Sequence, residues 1–323
     1  FLKTADFSNI VVSGNAFFML TEFSEEAVFF GSELCIMAWF INSKFKGRAH
    51  FNGIKFKNGI FAQAKFNEDA YFSNSKFSGD ANFNSAVFSK EAAFKGIEIF
   101  EHSTFDDVRF LGKTSFVNVN MKGPTTFENS LFKYSPPVFF GAKLHEGTVW
   151  RGVTWPNIPK DSKEAGEFVD AYERLKLEMD RLKKHEDDLH FFALELQCRR
   201  VLHGNIGGFP IWLYGFLCDY GRNYIRPFYS LFITAAVGVL PFWWHFVLWN
   251  LSERTVLQSF WQAVGLSLAN TFGVLGIRKD LISTEIMEVL PGSLKVLSGL
   301  QTVAGIVLLF LFGLAIRNRF RMK

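Results

Sequence analysis

The sequence predicts a β-plus-α membrane protein in three parts: a repeat solenoid, a helical connector and a two-helix membrane domain. Three observations carry this. Phenylalanine returns every five or six residues through the first half of the chain. Near residue 160 the composition changes, and Pro156 and Pro159 lead into a charged, helix-forming stretch. Beyond Gly204 the chain becomes apolar, with two uncharged or nearly uncharged runs of spanning length.

The solenoid comes first. From residue 45 the series reads Phe45, Phe51, Phe56, Phe61, Phe66, Phe72, Phe77, Phe83, Phe88, Phe94, Phe100, Phe105, Phe110, Phe116, Phe127 and Phe132, with Met121 filling the gap. Between Phe66 and Phe94 the steps alternate six and five, an eleven-residue unit. Neither a helix (period about 3.6) nor a strand (period about 2) gathers such a series on one face. Stacked turns with one bulky residue per short step do. Ala81, Ala86 and Ala92 stand two positions before Phe83, Phe88 and Phe94, where a small side chain lets the next rung approach. The rungs ahead of Phe45 are less regular (Phe17, Phe23, Phe29, Phe40). Of the 40 phenylalanines, 26 lie before residue 150. They are read as ladder and not as a ligand site, each burial contributing about 1.5–3 kcal/mol.

These residues resemble the pentapeptide-repeat family in its phenylalanine-rich form, over roughly residues 5–150. The resemblance implies a right-handed quadrilateral β-helix, one short step per side, occupying residues 1–160. The chain begins with Phe1 rather than Met, so a further N-terminal piece such as a cap is expected ahead of it. Some members of that family mimic DNA with an acidic surface. Residues 1–160 hold 17 Lys and Arg against 15 Asp and Glu, a balance that does not fit such a mimic. No basic stripe stands out along the sequence, so nucleic acid is not expected as a partner. Cys35, Cys198 and Cys218 have no metal spacing and no pairing pattern, and fit buried thiols in a reducing compartment.

The connector, residues 161–204, places Phe168, Tyr172, Leu175, Met179, Leu182, Leu189, Ala193 and Leu196 at alternating steps of four and three, with Glu186 interrupting. This is a coiled-coil-like stripe. It suits self-association, docking on the solenoid's end, or packing within one chain. His185, His190 and His203, with Asp187 and Asp188, are read as a solvated face.

The membrane domain, residues 205–323, opens with a mixed aromatic and polar stretch, 209–226, read as an interfacial helix. The apolar runs 228–249 and 294–316 would each be about 33 Å long as helix, enough to cross a hydrocarbon core of about 30 Å. Gly238 and Pro241 argue for a kink in the first. Trp243, Trp244 and Trp249 gather toward its end, as at a membrane interface. Arg222 and Arg226 precede the first run, and Arg317, Arg319, Arg321 and Lys323 follow the second. Positive charge stays cytoplasmic, so both termini and the solenoid are expected on the cytoplasmic side of a bacterial inner membrane; no cleavable signal peptide is visible. Between the runs, residues 256–269 are apolar but too short to span, and lead into the glycine-bearing turn 270–280. Unwound backbone at membrane depth is tolerated where it is shielded by protein or lines water.

Outer helix, half-helix, glycine turn and inner helix resemble the pore domain of the two-transmembrane potassium-channel superfamily, and "YERLK", "FFALE" and "DYGRNYIRP" resemble the connector of bacterial proteins that join pentapeptide repeats to such a pore. The resemblance implies an ion channel, homo-oligomeric and tetrameric. Asn270, Thr271, Phe272, Gly273, Val274, Leu275 and Gly276 would line its constriction; Arg278, Lys279 and Asp280 would stand at its mouth. Gly299 or Gly305 would hinge the inner helix, although close packing explains a glycine equally well. The half-helix would aim a partly negative C-terminal end at a cation. The chain departs from the potassium pattern after Thr271-Phe272-Gly273: Val274-Leu275-Gly276 has no aromatic before the second glycine, and Ile277 replaces the acid. Potassium selectivity is therefore not implied, and a non-selective, anion-tolerant or silent pore stays open. The rival reading is a membrane-anchored scaffold whose solenoid binds a cytoplasmic protein. Phosphate loop, metal spacing and nucleophile motifs are not found, so neither enzyme nor cofactor nor metal is expected.

Overall fold

The structure is a computed structural model and describes residues 1–249, 255–276 and 290–321. It forms two compact units, Phe1–Asn205 and Ile206–Lys323.

The first unit is a four-sided β-solenoid of about six coils. Each side is a column of short parallel strands. Face 1 stacks Ala5–Asp6, Ala27–Val28, Ala49–His50, Ala70–Tyr71, Ala92–Ala93 and Thr114–Ser115. Face 2 runs Leu34, Phe56, Phe77, Ile99, Met121 in register. Face 3 runs Ala38, Gly59, Ala81, Ser103, Thr125. Face 4 stacks Glu22–Phe23, Lys44–Phe45, Lys65–Phe66, Val87–Phe88, Arg109–Phe110 and Leu131–Phe132. Phe66 pairs with Phe88, twenty-two residues on, which is the usual coil. Coils that include Lys57 are one residue shorter, as in Phe45 with Phe66. There the strand Lys55–Ile60 runs on around the corner. After Phe132 the coil gains a residue, with Thr126 bridging to Val149.

The core is the ladder. Phe23, Phe45, Phe66 and Phe88 stack with ring centroids 4.8, 4.7 and 4.7 Å apart. Rings of opposite faces meet edge-on across the interior, as Phe61 and Phe72 do at 5.2 Å and 90°. Both arrangements suit the aromatic quadrupole. The five-residue steps turn through a left-handed residue two positions past the ladder ring: Asn42, Gly53, Asn74, Gly96, Asn118 and Asn129 all have φ between 54° and 66°. Asn and Gly tolerate this most readily, but Leu20, Gln63, Ser85 and Asp107 take the same conformation at the equivalent position, with φ between 55° and 60°.

Two ladder positions differ from the sequence reading. The ladder residue of its coil on face 2 is Ile99, fully buried, and not Phe100; Phe100 faces outward between Lys76 and Lys122, whose ammonium groups lie 4.7 and 3.6 Å from its ring centre. The step of five from Phe94 fixes this, and adjacent aliphatic and aromatic residues left the sequence ambiguous. Likewise Phe18 and not Phe17 points inward, stacking on Phe40 at 4.9 Å, while Phe17 is 58% exposed.

The ladder ends on Trp150 and Trp155, covered by two helices. Helix α1, Ser162–Arg181, is capped by Asp161, whose carboxylate accepts from Lys163 N and Glu164 N. Its Phe168, Tyr172, Leu175 and Met179 are buried. The stripe does not continue as one helix: Lys183 takes φ 57°, and α2, His185–Leu202, returns alongside α1. Phe191 of α2 meets Trp150 and Trp155 edge-on at 6.0 and 5.1 Å. Buried Glu195 is held by Lys176 Nζ at 2.5 Å and Arg199 Nε at 2.7 Å. An unpaired carboxylate there would be costly.

Helix α3 (Gly204–Cys218), all but its first two residues in the second unit, is followed by a short turn with Tyr220 and Gly221 at φ 56° and 84°. The expected interfacial helix 209–226 therefore ends early. Asn223 Oδ1 accepts from Ile225 N and Arg226 N and starts α4, Ile225–Trp249. Pro227 falls in that first turn, where no intrahelical donor is lost. Helix α5 is Val256–Thr271, opened by a Thr255–Gln258 capping box. Helix α6 is Gly292–Arg321. Residues Ile225–Leu248 and Gly292–Arg321 are long and apolar enough to cross a membrane, and 28% of each one's most apolar stretch is buried within the chain. A soluble core helix would be mostly buried.

Candidate functional site

The site is the place where α5 stops. Its apolar face packs near the end of α4: Ala263 and Leu266 bury against Phe242 and Phe246, with Leu290 beside them. It then runs back along α4 until Ser267 Oγ donates to Ala235 O at 2.5 Å, and Phe272 reaches the ring of Phe232 at 6.1 Å. There it ends. Residues 225–231 of α4 and 306–321 of α6 continue past it. At about 1.5 Å per residue α5 is about 24 Å long, shorter than a hydrocarbon core.

A buried polar cluster fixes this end. Nε2 of Gln301 on α6 shares its two hydrogens among Ser267 Oγ (2.6 Å), Thr271 Oγ1 (3.0 Å) and Thr234 O (3.3 Å). Its Oε1 accepts from Asn270 Nδ2 at 3.3 Å. Ser298 Oγ donates to Asn270 Oδ1 at 2.9 Å, and Thr271 Oγ1 to Ser267 O at 2.9 Å. All five side chains are 6% exposed or less. In an apolar surrounding each lost partner leaves an unsatisfied dipole. Two glycines make room: a β-carbon at Gly238 would lie 2.7 Å from Gln301 Cδ, and one at Gly305 would lie 2.8 Å from the Thr271 carbonyl carbon. Gly299 has open space around it.

The sequence-expected constriction thus divides. Asn270 and Thr271 turn their side chains into the helix packing of a single chain. Phe272 and Gly273 are half-buried, and Val274 and Leu275 are exposed on a 3-10 turn, Gly273–Leu275, that ends at Gly276 with φ 76°. Arg278, Lys279 and Asp280 lie outside the described residues. Sequence reasoning missed Ser267, Ser298 and Gln301. The signal was present, since a glutamine inside an apolar run of spanning length marks a position with a partner.

In the first unit, Asp180, His185 and Asp188 bring one ligand-type atom each within 4.8 Å of one another at the α1–α2 turn. Asp180 is exposed, and such surface groups are ordinary without an ion. Burial pushes the Cys198 thiol up to about 12, with Glu195 adding to the shift.

Residues 51–98 match the family Pentapeptide repeats (9 copies). The match and the four-sided coil together support a pentapeptide-repeat domain at the N-terminal end of the chain. No curated protein matches the chain, and no solved structure does.

Proposed function

We propose that the chain is one subunit of an oligomeric membrane channel of the two-span, pore-loop kind, carrying its pentapeptide-repeat solenoid on the cytoplasmic side for regulation or partner binding. One observation carries this reading: α5 enters alongside α4 from one end, stops part-way at Ser267–Thr271, and is locked there to both long helices. A tether has no need of a half-helix that ends among its spans. A pore does, because backbone near the end of such a helix can face water in an oligomer while the rest stays shielded. Two spans cannot enclose a pore alone, so the channel is oligomeric. The turn Phe272–Gly276 forms its constriction, and the buried cluster holds that turn in place.

The test is to purify the chain in detergent, fix its stoichiometry and record from it in planar bilayers. Unitary currents that change with substitutions in 272–276 support the channel. An oligomer silent across voltage, stretch and pH leaves the membrane-anchored scaffold.

A further inference from the structure

The coil register gathers charges that are far apart in sequence onto face 4. Two columns point outward there. One is Lys44, Lys65, Val87, Arg109 and Leu131, in strand register. The other is Lys46, Asn67, Ser89, Leu111 and Lys133, each donating its backbone N–H to the coil before. Lys44, Lys46, Lys65, Arg109 and Lys133 are exposed. After Glu22, which pairs with Lys46 at 2.6 Å, neither column holds a carboxylate. Acids border this face at its two corners: Glu25, Glu26, Glu68, Asp69 and Glu91 on the side of face 1, where Asp69 takes Arg48 at 3.8 Å, and Asp106, Asp107 and Glu128 on the side of face 3. Face 2, across the coil, also carries exposed Lys55, Lys57, Lys76 and Lys122, but interleaves them with Glu33 and Glu98, which pair with Lys55 and Lys122.

We infer that face 4 docks on a membrane surface bearing anionic lipid headgroups. The face is a sheet with strands about 4.8 Å apart, so its cations spread across a plane and do not line a groove. The inference rests on the membrane reading above: the chain's own apolar helices hold the solenoid beside a bilayer, which raises the effective concentration of that surface without any new contact. Each Lys or Arg near an anionic leaflet then favours the docked state by about fivefold.

The experiment uses the full chain in lipid vesicles that contain a headgroup-spin-labelled lipid as quencher. A fluorophore is placed on face 4 by Ser89→Cys in a Cys35→Ser background, and on the opposite side by labelling native Cys35. With phosphatidylserine present at low salt, the probe at 89 is quenched and the probe at 35 is not. Quenching at 89 disappears in pure phosphatidylcholine and at high salt. The triple change Lys44→Gln, Lys65→Gln and Arg109→Gln, all at exposed positions, shifts the docked state down by about a hundredfold. Flotation with vesicles at high salt tests the anchor separately: a chain that does not float overturns the membrane reading itself. A chain that floats, yet shows equal quenching at both positions or none caused by phosphatidylserine, overturns the docking alone. Binding of duplex DNA that the triple change abolishes, with no lipid quenching, would also overturn it and assign the face to nucleic acid.

Discussion

Gly305 of α6 lies against the backbone of Thr271 at the end of α5, so close that a β-carbon at 305 would stand 2.8 Å from the Thr271 carbonyl carbon. That approach is what lets Gln301, one turn earlier on α6, reach Thr271 Oγ1 and Ser267 Oγ. Gly305→Ala forces the helices apart and costs about 1–3 kcal/mol. Gly299→Ala, in open space, changes stability by less than about 0.5 kcal/mol. Thermal unfolding of the detergent-solubilised chain separates them. Equal melting temperatures would remove Gly305 from the packing role.

Gln301→Leu tests the cluster from its hub. It keeps the apolar bulk and strands Asn270, Ser267 and Thr271 without their shared partner. Interhelical hydrogen bonds in membranes average about 0.6 kcal/mol, so two or three lost together destabilise by about 1–2 kcal/mol. The expected signature is a lower melting temperature in detergent and reduced or absent current. A variant as stable and as conductive as the parent argues that the cluster is incidental.

The ladder register makes a sharper test than any single phenylalanine. Phe83→Ala should cost about 3–5 kcal/mol, and Ile99→Ala about 2–5 kcal/mol. Phe100→Ala, outside the core, should cost about 1 kcal/mol or less through its cation–π contacts with Lys76 and Lys122. Lys90→Ala should fall under about 0.5 kcal/mol. Urea unfolding of residues 1–205 measures all four. A larger loss at 100 than at 99 would return the rung to the aromatic.

These positions also mark what could be read from sequence. The solenoid was legible because its period is carried by the bulkiest side chain, and a shift of one residue spoils every stacked ring. Ile99 and Phe100 were ambiguous because either could fill the rung, and only the coil count decides. The hairpin of α1 and α2 was not legible: the stripe is kept on both sides of Lys183, and nothing in periodicity marks a reversal. Face 4 was invisible for a different reason. Apart from the neighbours Lys44 and Lys46, its cations lie one or two coils apart in sequence, so a linear scan for a basic stripe misses them. At α5 the half-helix and its glycine turn are legible from the short apolar run 256–269 and the glycines at 273 and 276. The residues that seat the helix, Ser267, Ser298 and Gln301, were polar exceptions within apolar runs.

Thiol reactivity reports the same packing. Burial raises the Cys198 thiol to about 12 and also raises Cys218. A raised thiol is neutral at pH 8, and the thiolate is the reacting form. Maleimide at pH 8 should therefore label Cys35 in the native chain and spare Cys198 and Cys218, with all three labelled after denaturation. The protection of Cys198 should persist as pH rises toward 10, because its titration lies higher still. Rapid native labelling of Cys198 would contradict the closed α1–α2 cap.

The pore reading is tested most directly at Gly273 and in the two charges beyond it. A β-carbon at 273 would meet Thr302 Cγ2 at 3.6 Å, an ordinary contact, so Gly273→Val should fold and assemble. Any loss of current then arises around the shared axis and not from a broken subunit. We expect unitary current to fall sharply or vanish in that variant while the oligomer keeps its size. Arg278 and Lys279 follow the turn in sequence, where positive potential would repel cations. Replacing both with Gln should shift the reversal potential in a salt gradient toward cation preference. Topology gives an independent check: Ser252→Cys should react with an impermeant thiol reagent on intact cells, and Ser162→Cys should not. If Gly273→Val conducts normally and the double Gln variant leaves the reversal potential unmoved, residues 272–276 do not form the constriction, and α5 is a packing element of an anchor.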